Sequence, residues 1–373
     1  MATSAKPDAF YMRRALELAK RAWGDTAPNP MVGAVLVKNG EIIGEGWHTR
    51  DGMPHAEIEC LRNAKAPPDG ATLYVSLEPC STRGRTGACT EAIIKAGIAE
   101  VKIGTLDPNP AHAGRALPIL RAAGIKCEPG ILEGECRGLN FIFNHAITHS
   151  EPLVALKYAV SADGKIAERR GVRTQITNEA SRANMMVWRR LFSSIAVGRG
   201  TLESDNPSLT ARGLPDGDHC AERLVFDASL NIARHADPKN FALFSDKFAN
   251  KTRIVCGAEA SEERAETLGK LGLRIFKIAA AAGTPEFWEK LKEKLFAERI
   301  TSLYIEGGAG LIKSVCDARA ADFAFEYRAT KTIGDGGLPA FENGERPFDI
   351  DGKTLALDGD TLTFGEIKWK RTR

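Results

Sequence analysis

The chain has 373 residues, with 51 Lys and Arg against 48 Asp and Glu for a formal net charge of +3; at about 100–200 residues per domain this length calls for two domains. Its 43% hydrophobic and 27% charged residues exclude wholesale disorder and fibrous classes, and the near balance of charge argues against a nucleic-acid binder. No apolar run reaches the ~20 residues of a membrane span, MATSAKPDAFYMRRALELAKRA has no secretion-signal core, and eight irregularly placed cysteines are too sparse for a disulfide scaffold, so a soluble cytoplasmic protein is expected.

The first segment opens with a helix over residues 9–23. Pro28-Asn29-Pro30 breaks the chain, and MVGAVLVKNGEIIGEG reads as two strands around Asn39-Gly40, a two-residue hairpin signal. HAEIECLRNA, after Pro54, reads as a helix and ATLYVSL as a strand. A loop over 78–88 leads to CTEAIIKAG, a helix ending at Gly97, where glycine takes a left-handed cap. VKIGT is a strand, 114–123 a helix ending at Gly124, and 125–128 a further strand. This alternation predicts a three-layer α/β/α domain over 1–149.

The second segment begins at Ser150-Glu151-Pro152 and runs to 373. LVALKYAVSADGKIA reads as a strand running into a loop, and ASRANMMVWRRLF as a helix. SSIAVGRGT, RLVFDA and RIVCGA read as strands. TSLYIEGGAG is a strand meeting a glycine turn, and LIKSVCDAR is the helix after it. ADFAFEYRAT, TLALDGD and TLTFGEIKWK read as closing antiparallel strands, the last two joined at Asp358-Gly359-Asp360. A second α/β domain with a mixed sheet is expected, with no internal repeat.

His55-Ala56-Glu57 opens a helix, Pro79-Cys80 follows a strand, and Cys89 opens another helix. One imidazole and two thiolates are the three protein ligands of an open, catalytic zinc site, with the fourth position left for water. A structural zinc takes four protein ligands, and Cys60 lies more than a turn beyond His55 on the same helix. Helix N-termini at His55 and Cys89 favour the thiolate. Glu57 beside the metal fits a proton shuttle from water to a leaving amine. The signature H-x-E … P-C-x-x-C belongs to zinc nucleobase deaminases; here eight residues, Ser81 through Ala88, replace the two-residue spacer. The bland alternative is a helix histidine with scattered core cysteines, and the ordered appearance of all three signals argues against it. Within the spacer, Arg83, Gly84, Arg85 and Thr86 offer donors to a phosphate or another anion, or form a solvated charged loop.

PNPMVGAVLVKNGEIIGEGWHTRDGMPHAE, SLEPCSTRGRTGAC, LDPNP, LNFIFNH and LVALKYAVSADGKIA together resemble the bifunctional riboflavin-biosynthesis deaminase/reductase family. The resemblance is dense over 28–212, thinner over 221–299, and returns at YIEGGAGLIKS. It implies a cytidine-deaminase-like N-terminal domain that converts 2,5-diamino-6-(5-phosphoribosylamino)pyrimidin-4(3H)-one to 5-amino-6-(5-phosphoribosylamino)uracil and releases ammonia. It also implies a dihydrofolate-reductase-like C-terminal α/β domain, in which NADPH reduces the ribosyl unit to a ribityl chain. The implied cofactors are Zn2+ and NADPH, with iron an alternative on the same ligands. The implied partners are a small-molecule phosphoribosyl-pyrimidine and a homo-oligomer, dimer or higher, with no nucleic acid and no membrane.

Carried over residue by residue, the resemblance makes His55, Cys80 and Cys89 the zinc ligands and Glu57 the acid/base. It places Asn29, His48 and Arg85 at the deaminase substrate. At the reductase substrate it places Lys157, Arg173, Arg189, Leu209, Arg212 and Glu306. With NADPH it places Ala159, Gln175, Thr201, Asp205, Gly308, Ala309 and Gly310, the last three in a turn and helix start over 308–314. Two features carry chemistry of their own beside the resemblance. Gly307, Gly308 and Gly310 follow a β-rich run and precede a helix, so backbone N–H groups can approach a pyrophosphate, or the turn is a plain strand–helix connection. Lys157, inside an apolar strand, calls for an anionic partner.

The chain departs from the family pattern at Thr82 and Glu59, where histidines are common, and at Gly87-Ala88, where prolines are. Arg173 and Gln175 replace the serine and tryptophan of Ser-x-Trp-Ile-Thr. The expected activity is the two-step one. The alternatives are a deaminase whose second domain has lost or altered reduction, an RNA-editing deaminase, and a non-enzymatic zinc-stabilised module. The 7% aromatic content and balanced charge argue against RNA editing.

Overall fold

Asp8–Lys20 forms helix α1, which buries Tyr11, Met12, Ala15, Leu16, Leu18 and Ala19 along one stripe. The computed structural model describes residues 6–82, 87–342 and 344–371. It divides into two units, Met1–Ser150 and Glu151–Arg373. After α1 come β1 (Gly33–Lys38) and β2 (Glu41–Trp47). They are joined at Asn39 and Gly40, whose φ angles of 52° and 80° are the left-handed pair that a tight hairpin needs. Next are α2 (Ala56–Arg62), β3 (Thr72–Leu77), α3 (Cys89–Lys95), β4 (Glu100–Thr105), α4 (Ala116–Ala122), β5 (Lys126–Pro129), α5 (Glu133–Leu139) and α6 (Phe141–His149).

The first sheet has the order β2-β1-β3-β4-β5. β1 runs antiparallel to β2 and β3, while β3, β4 and β5 are parallel. Alternation along the strands separates two faces. Ala34, Leu36, Leu73, Val75, Val101 and Ile103 pack with Ala56 and Cys60 of α2, Ile93 of α3 and Leu120 of α4. The opposite face takes α1 and α5: a Cβ on Gly33 would meet Ala15 O at 1.9 Å, and one on Gly104 would meet Cys136 Sγ at 2.3 Å. Helices on both faces of a mixed sheet give the expected three layers.

The second unit contains β6 (Leu153–Val160), β7 (Lys165–Ala167), α7 (Glu179–Leu191), β8 (Ser194–Gly198), α8 (Arg199–Asp205), β9 (Glu222–Phe226) and α9 (Ala242–Ser245). It continues with β10 (Thr252–Cys256), α10 (Glu262–Lys270), β11 (Arg274–Lys277), α11 (Pro285–Ala297), β12 (Ser302–Glu306), α12 (Ala309–Asp317) and β13 (Phe323–Arg328). The short β14 (Leu338–Pro339) and the long hairpin of β15 (Phe348–Leu357) and β16 (Asp360–Trp369) complete it. The nine-stranded sheet runs β11-β10-β9-β8-β12-β6-β13-β16-β15, and β14 pairs separately with β7. Trp288, Leu291, Ile305, Ile312 and Val315 are among the buried residues of its core.

Three sequence expectations need correction. The strand read over SSIAVGRGT stops at Gly198, and α8 follows at once. ADFAFEYRAT is antiparallel only to β16; it pairs in parallel with β6, because α12 carries the chain back across the sheet before β13 starts. The thinly matched region holds α10, β11 and α11, which the sequence reading left unassigned. Their start signals are local: Ser261 accepts from Arg264 N at 3.4 Å and Thr284 from Phe287 N at 3.2 Å. Among the described residues, no helix is long and apolar enough to cross a membrane.

Candidate functional site

Two groups of side chains stand out, one in each unit. In the first, β3 ends at Leu77 and delivers Cys80 three residues later, while His55 is the N-cap of α2 and Cys89 the first residue of α3. His55 Nδ1 lies 3.5 Å from Cys80 Sγ and 3.3 Å from Cys89 Sγ, and Cys89 N donates to Cys80 Sγ at 3.3 Å. All three ligand atoms lie within 4.8 Å of one another. Tetrahedral zinc with Zn–N near 2.0 Å and Zn–S near 2.3 Å sets an N···S edge of about 3.5 Å, so this donor set fits the ion. Cys60 is fully buried under β2 and is absent from the cluster.

The seat of α2 is set by a backbone contact. A Cβ on Gly46 of β2 would meet Cys60 N at 2.2 Å and Ala56 O at 2.6 Å. Glu57 is 3% exposed. Burial, and next to it the Cys80 sulfur, push its carboxyl up to about 7, against a pull downward from His55. Hydrogen bonding from Cys89, then His55, holds the Cys80 thiol down at about 4, while the proximity of Cys80 and burial push Cys89 up. A dication at this place would favour the thiolate form of both sulfurs.

His48 is buried, and its Nδ1 donates to Pro54 O at 3.1 Å. That bond assigns the acceptor role to Nε2, which faces the Asn29 amide at 3.5 Å. Burial, then His55, lowers the His48 pKa and disfavours the charged ring. Asn29 also donates to Asp51 Oδ1 at 3.1 Å. The rings of His48 and His55 meet edge to face at 5.6 Å. Arg85 lies outside the described residues, as do Arg83, Gly84 and Thr86. The sequence reading missed Asp107 of LDPNP, a partly buried carboxyl raised by burial and by the nearby Glu78 and Cys80.

In the second unit, a cavity of ≈ 1330 Å³ opens beside the ends of β6, β8, β9 and β12. Such strand ends are where open α/β sheets bind ligands. All thirteen reductase residues named from the sequence line it. Lys157 Nζ is 3.7 Å from Glu306, the anion its burial requires. Arg189 on α7 turns its fork to the same carboxylate, at 2.5 Å and 2.9 Å, and donates to Thr210 O at 3.0 Å. Burial alone would raise Glu306, but Arg189 and then Lys157 hold it at about 2. Burial lowers Lys157 in turn.

Ala159 borders the cavity on β6, and Thr201 and Asp205 on α8. Leu209, Arg212, Arg173 and Gln175 come from loops, and the Gln175 carbonyl receives the Lys331 ammonium. Gly308 caps α12, with Ala309 and Gly310 in its first turn. A Cβ on Gly308 would meet Thr201 Oγ1 at 2.9 Å, which leaves a bare backbone cradle at a helix N-terminus suited to a pyrophosphate. Asp227, Ser229 and Tyr327 also line the cavity. The first of these had a signal, an acid at the end of the strand RLVFDA.

Residues 5–105 match the cytidine and deoxycytidylate deaminase zinc-binding region, and residues 152–358 match the RibD C-terminal domain. The riboflavin biosynthesis protein RibD of Escherichia coli strain K12 is 44% identical over 88% of this chain and 89% of its own length. That of Actinobacillus pleuropneumoniae is 38% identical over 96% of this chain and 93% of its own. Among solved structures, Acinetobacter baumannii RibD aligns with a TM-score of 0.80 at 30% identity, covering 98% of this chain and 99% of that one. A Thermotoga maritima diaminohydroxyphosphoribosylaminopyrimidine deaminase/5-amino-6-(5-phosphoribosylamino)uracil reductase aligns at 0.80 with 32% identity, covering 97% and 98%. With its metal-type triad in one unit, its strand-end cavity in the other and relatives matched along nearly their whole length, the chain belongs to the RibD family of riboflavin biosynthesis proteins.

Proposed function

We propose that the protein carries out two successive steps of riboflavin biosynthesis. The first is hydrolytic deamination of 2,5-diamino-6-(5-phosphoribosylamino)pyrimidin-4(3H)-one; the second is NADPH-dependent reduction of the ribosyl unit of the resulting uracil. The observation that carries the reading is the buried Glu57 beside the His55, Cys80 and Cys89 donors. Zn2+ held by these donors supplies Lewis acidity and an open coordination position. Glu57 takes a proton from the attacking water and returns it to the amine, so that a C–O bond forms, the C–N bond breaks and ammonia leaves. Asn29 and His48 hold the ring edge.

In the second unit, Ala159, Gln175, Thr201, Asp205 and Gly308, Ala309 and Gly310 would hold NADPH, which would supply a hydride for the open-chain sugar carbon. Lys157, whose burial lowers its affinity for its proton, donates that proton to the oxygen or nitrogen whose double bond to that carbon is lost. Glu306 fixes Lys157 and Arg189 in place. Arg173 and Arg212, both on the cavity wall, meet the substrate phosphate.

Incubation with the diaminopyrimidine phosphate, with and without NADPH, followed by mass spectrometry, tests the reading. Deamination raises the mass by about one dalton and reduction by about two more. A metal chelator should stop the first gain and leave NADPH oxidation on pre-deaminated substrate intact. The first gain alone would leave a deaminase with an altered second domain, and no gain at all would overturn the reading.

A further inference from the structure

Glu78 leaves β3 one residue after Leu77 and is 6% exposed. Its carboxylate is satisfied by backbone: Oε2 accepts from Asp107 N at 3.1 Å and Gly114 N at 2.9 Å, and Oε1 accepts from Ala116 N at 2.9 Å. Its own N–H donates to Thr105 O at 2.9 Å, continuing the pairing of β3 with β4. Both ends of the 106–115 loop are therefore tied to one carboxylate. Inside the loop, Asp107 Oδ1 accepts from Asn109 N and Asn109 Oδ1 accepts from Ala111 N, each at 2.9 Å. The same loop brings Asp107 near Cys80, and Cys80 is two residues from Glu78 along the chain.

We propose that Glu78 is a positioning residue: it clamps the neck of the 106–115 loop beside Cys80, making that loop a fixed wall of the pyrimidine site. The inference rests on the deaminase reading above. A charged acceptor binds N–H groups about twice as strongly as a neutral one. A glutamine would turn a donor toward donors and leave at least one N–H unmet. The clamp acts on where the wall stands and leaves Glu57 and the metal donors as they are.

The test uses the full-length zinc-loaded chain, with Glu78→Gln and Glu78→Asp. In Glu78→Gln, amide hydrogen exchange across 106–116 should quicken at least about tenfold, with β3 and β4 unchanged. KM for the diaminopyrimidine phosphate should rise about tenfold, with kcat within about threefold and zinc content unchanged. Glu78→Asp, which keeps the charge, should recover part of the KM. Unchanged loop exchange would overturn the proposal, as would loss of zinc and kcat with KM unmoved. Should Glu78→Gln fail to fold, the same two readouts on Glu78→Asp decide it. Exchange needs no turnover: a loop that opens in the variant while the wild type deaminates nothing would sink the deaminase reading and keep the clamp.

Discussion

Glu57 and Glu306 are both buried carboxylates, yet their acidities move apart, to about 7 and about 2. Burial pushes both upward. The neighbours decide the outcome: Glu57 faces the Cys80 sulfur, whereas Glu306 sits between Arg189 and Lys157. A carboxyl near 7 can take and give a proton at neutral pH; one near 2 is a permanent charge that organises cations. The same side chain thus serves transfer in one unit and placement in the other.

The largest effect should come from removing the carrier. Glu57→Gln should lower deamination by about 10²–10⁴-fold, measured as ammonia release. Zinc content and reduction of pre-deaminated substrate should stay at wild-type levels. A variant that kept its ammonia release would erase the distinction between the two carboxylates.

Removing the placed charge should act on stability as well as on reduction. Glu306→Ala leaves Lys157 and Arg189 buried and unmatched, at a cost of about 3–5 kcal/mol, read from denaturant unfolding of the second unit. The pH dependence sharpens the point. Because Glu306 is held below its ordinary 4.5, the unfolded chain binds the extra proton first. Its stabilising contribution is complete above that value and is lost as pH falls toward about 2. The melting temperature of the second unit should drop through this window, and Glu306→Gln should flatten the drop. A smaller effect lies in the helix that presents Arg189. Asn178 caps α7, accepting from Ser181 N at 2.8 Å. Asn178→Ala should cost about 1 kcal/mol in thermal melts, with the Glu306 pair intact.

These two regions also differ in how far the sequence exposes them. His55 and Cys89 are only 34 positions apart, and each sits at the start of a helix that its own sequence marks. Chemistry, spacing and local structure coincide there, so the cluster is readable before any fold is known. The cavity is assembled from strand ends spread along the second unit. Lys157 announces the need for an anion, but nothing local names Glu306, and Arg189 is 117 positions from its partner. Parallel placement of β13 beside β6 depends on the direction of a crossover, which a strand pattern does not carry. Glu78 and Asp107 escape for a related reason: their carboxylates accept from backbone N–H groups between 107 and 116, and backbone leaves no mark in composition.

Gly46 is not one of the metal-type donors, yet it sets the distance at which α2 rests on β2. A single methyl there would collide with the first turns of the helix that begins beside His55 and carries Glu57. The tolerance of the metal centre to mutation therefore extends one strand beyond any atom that reacts, and it is measured in hydrogen atoms.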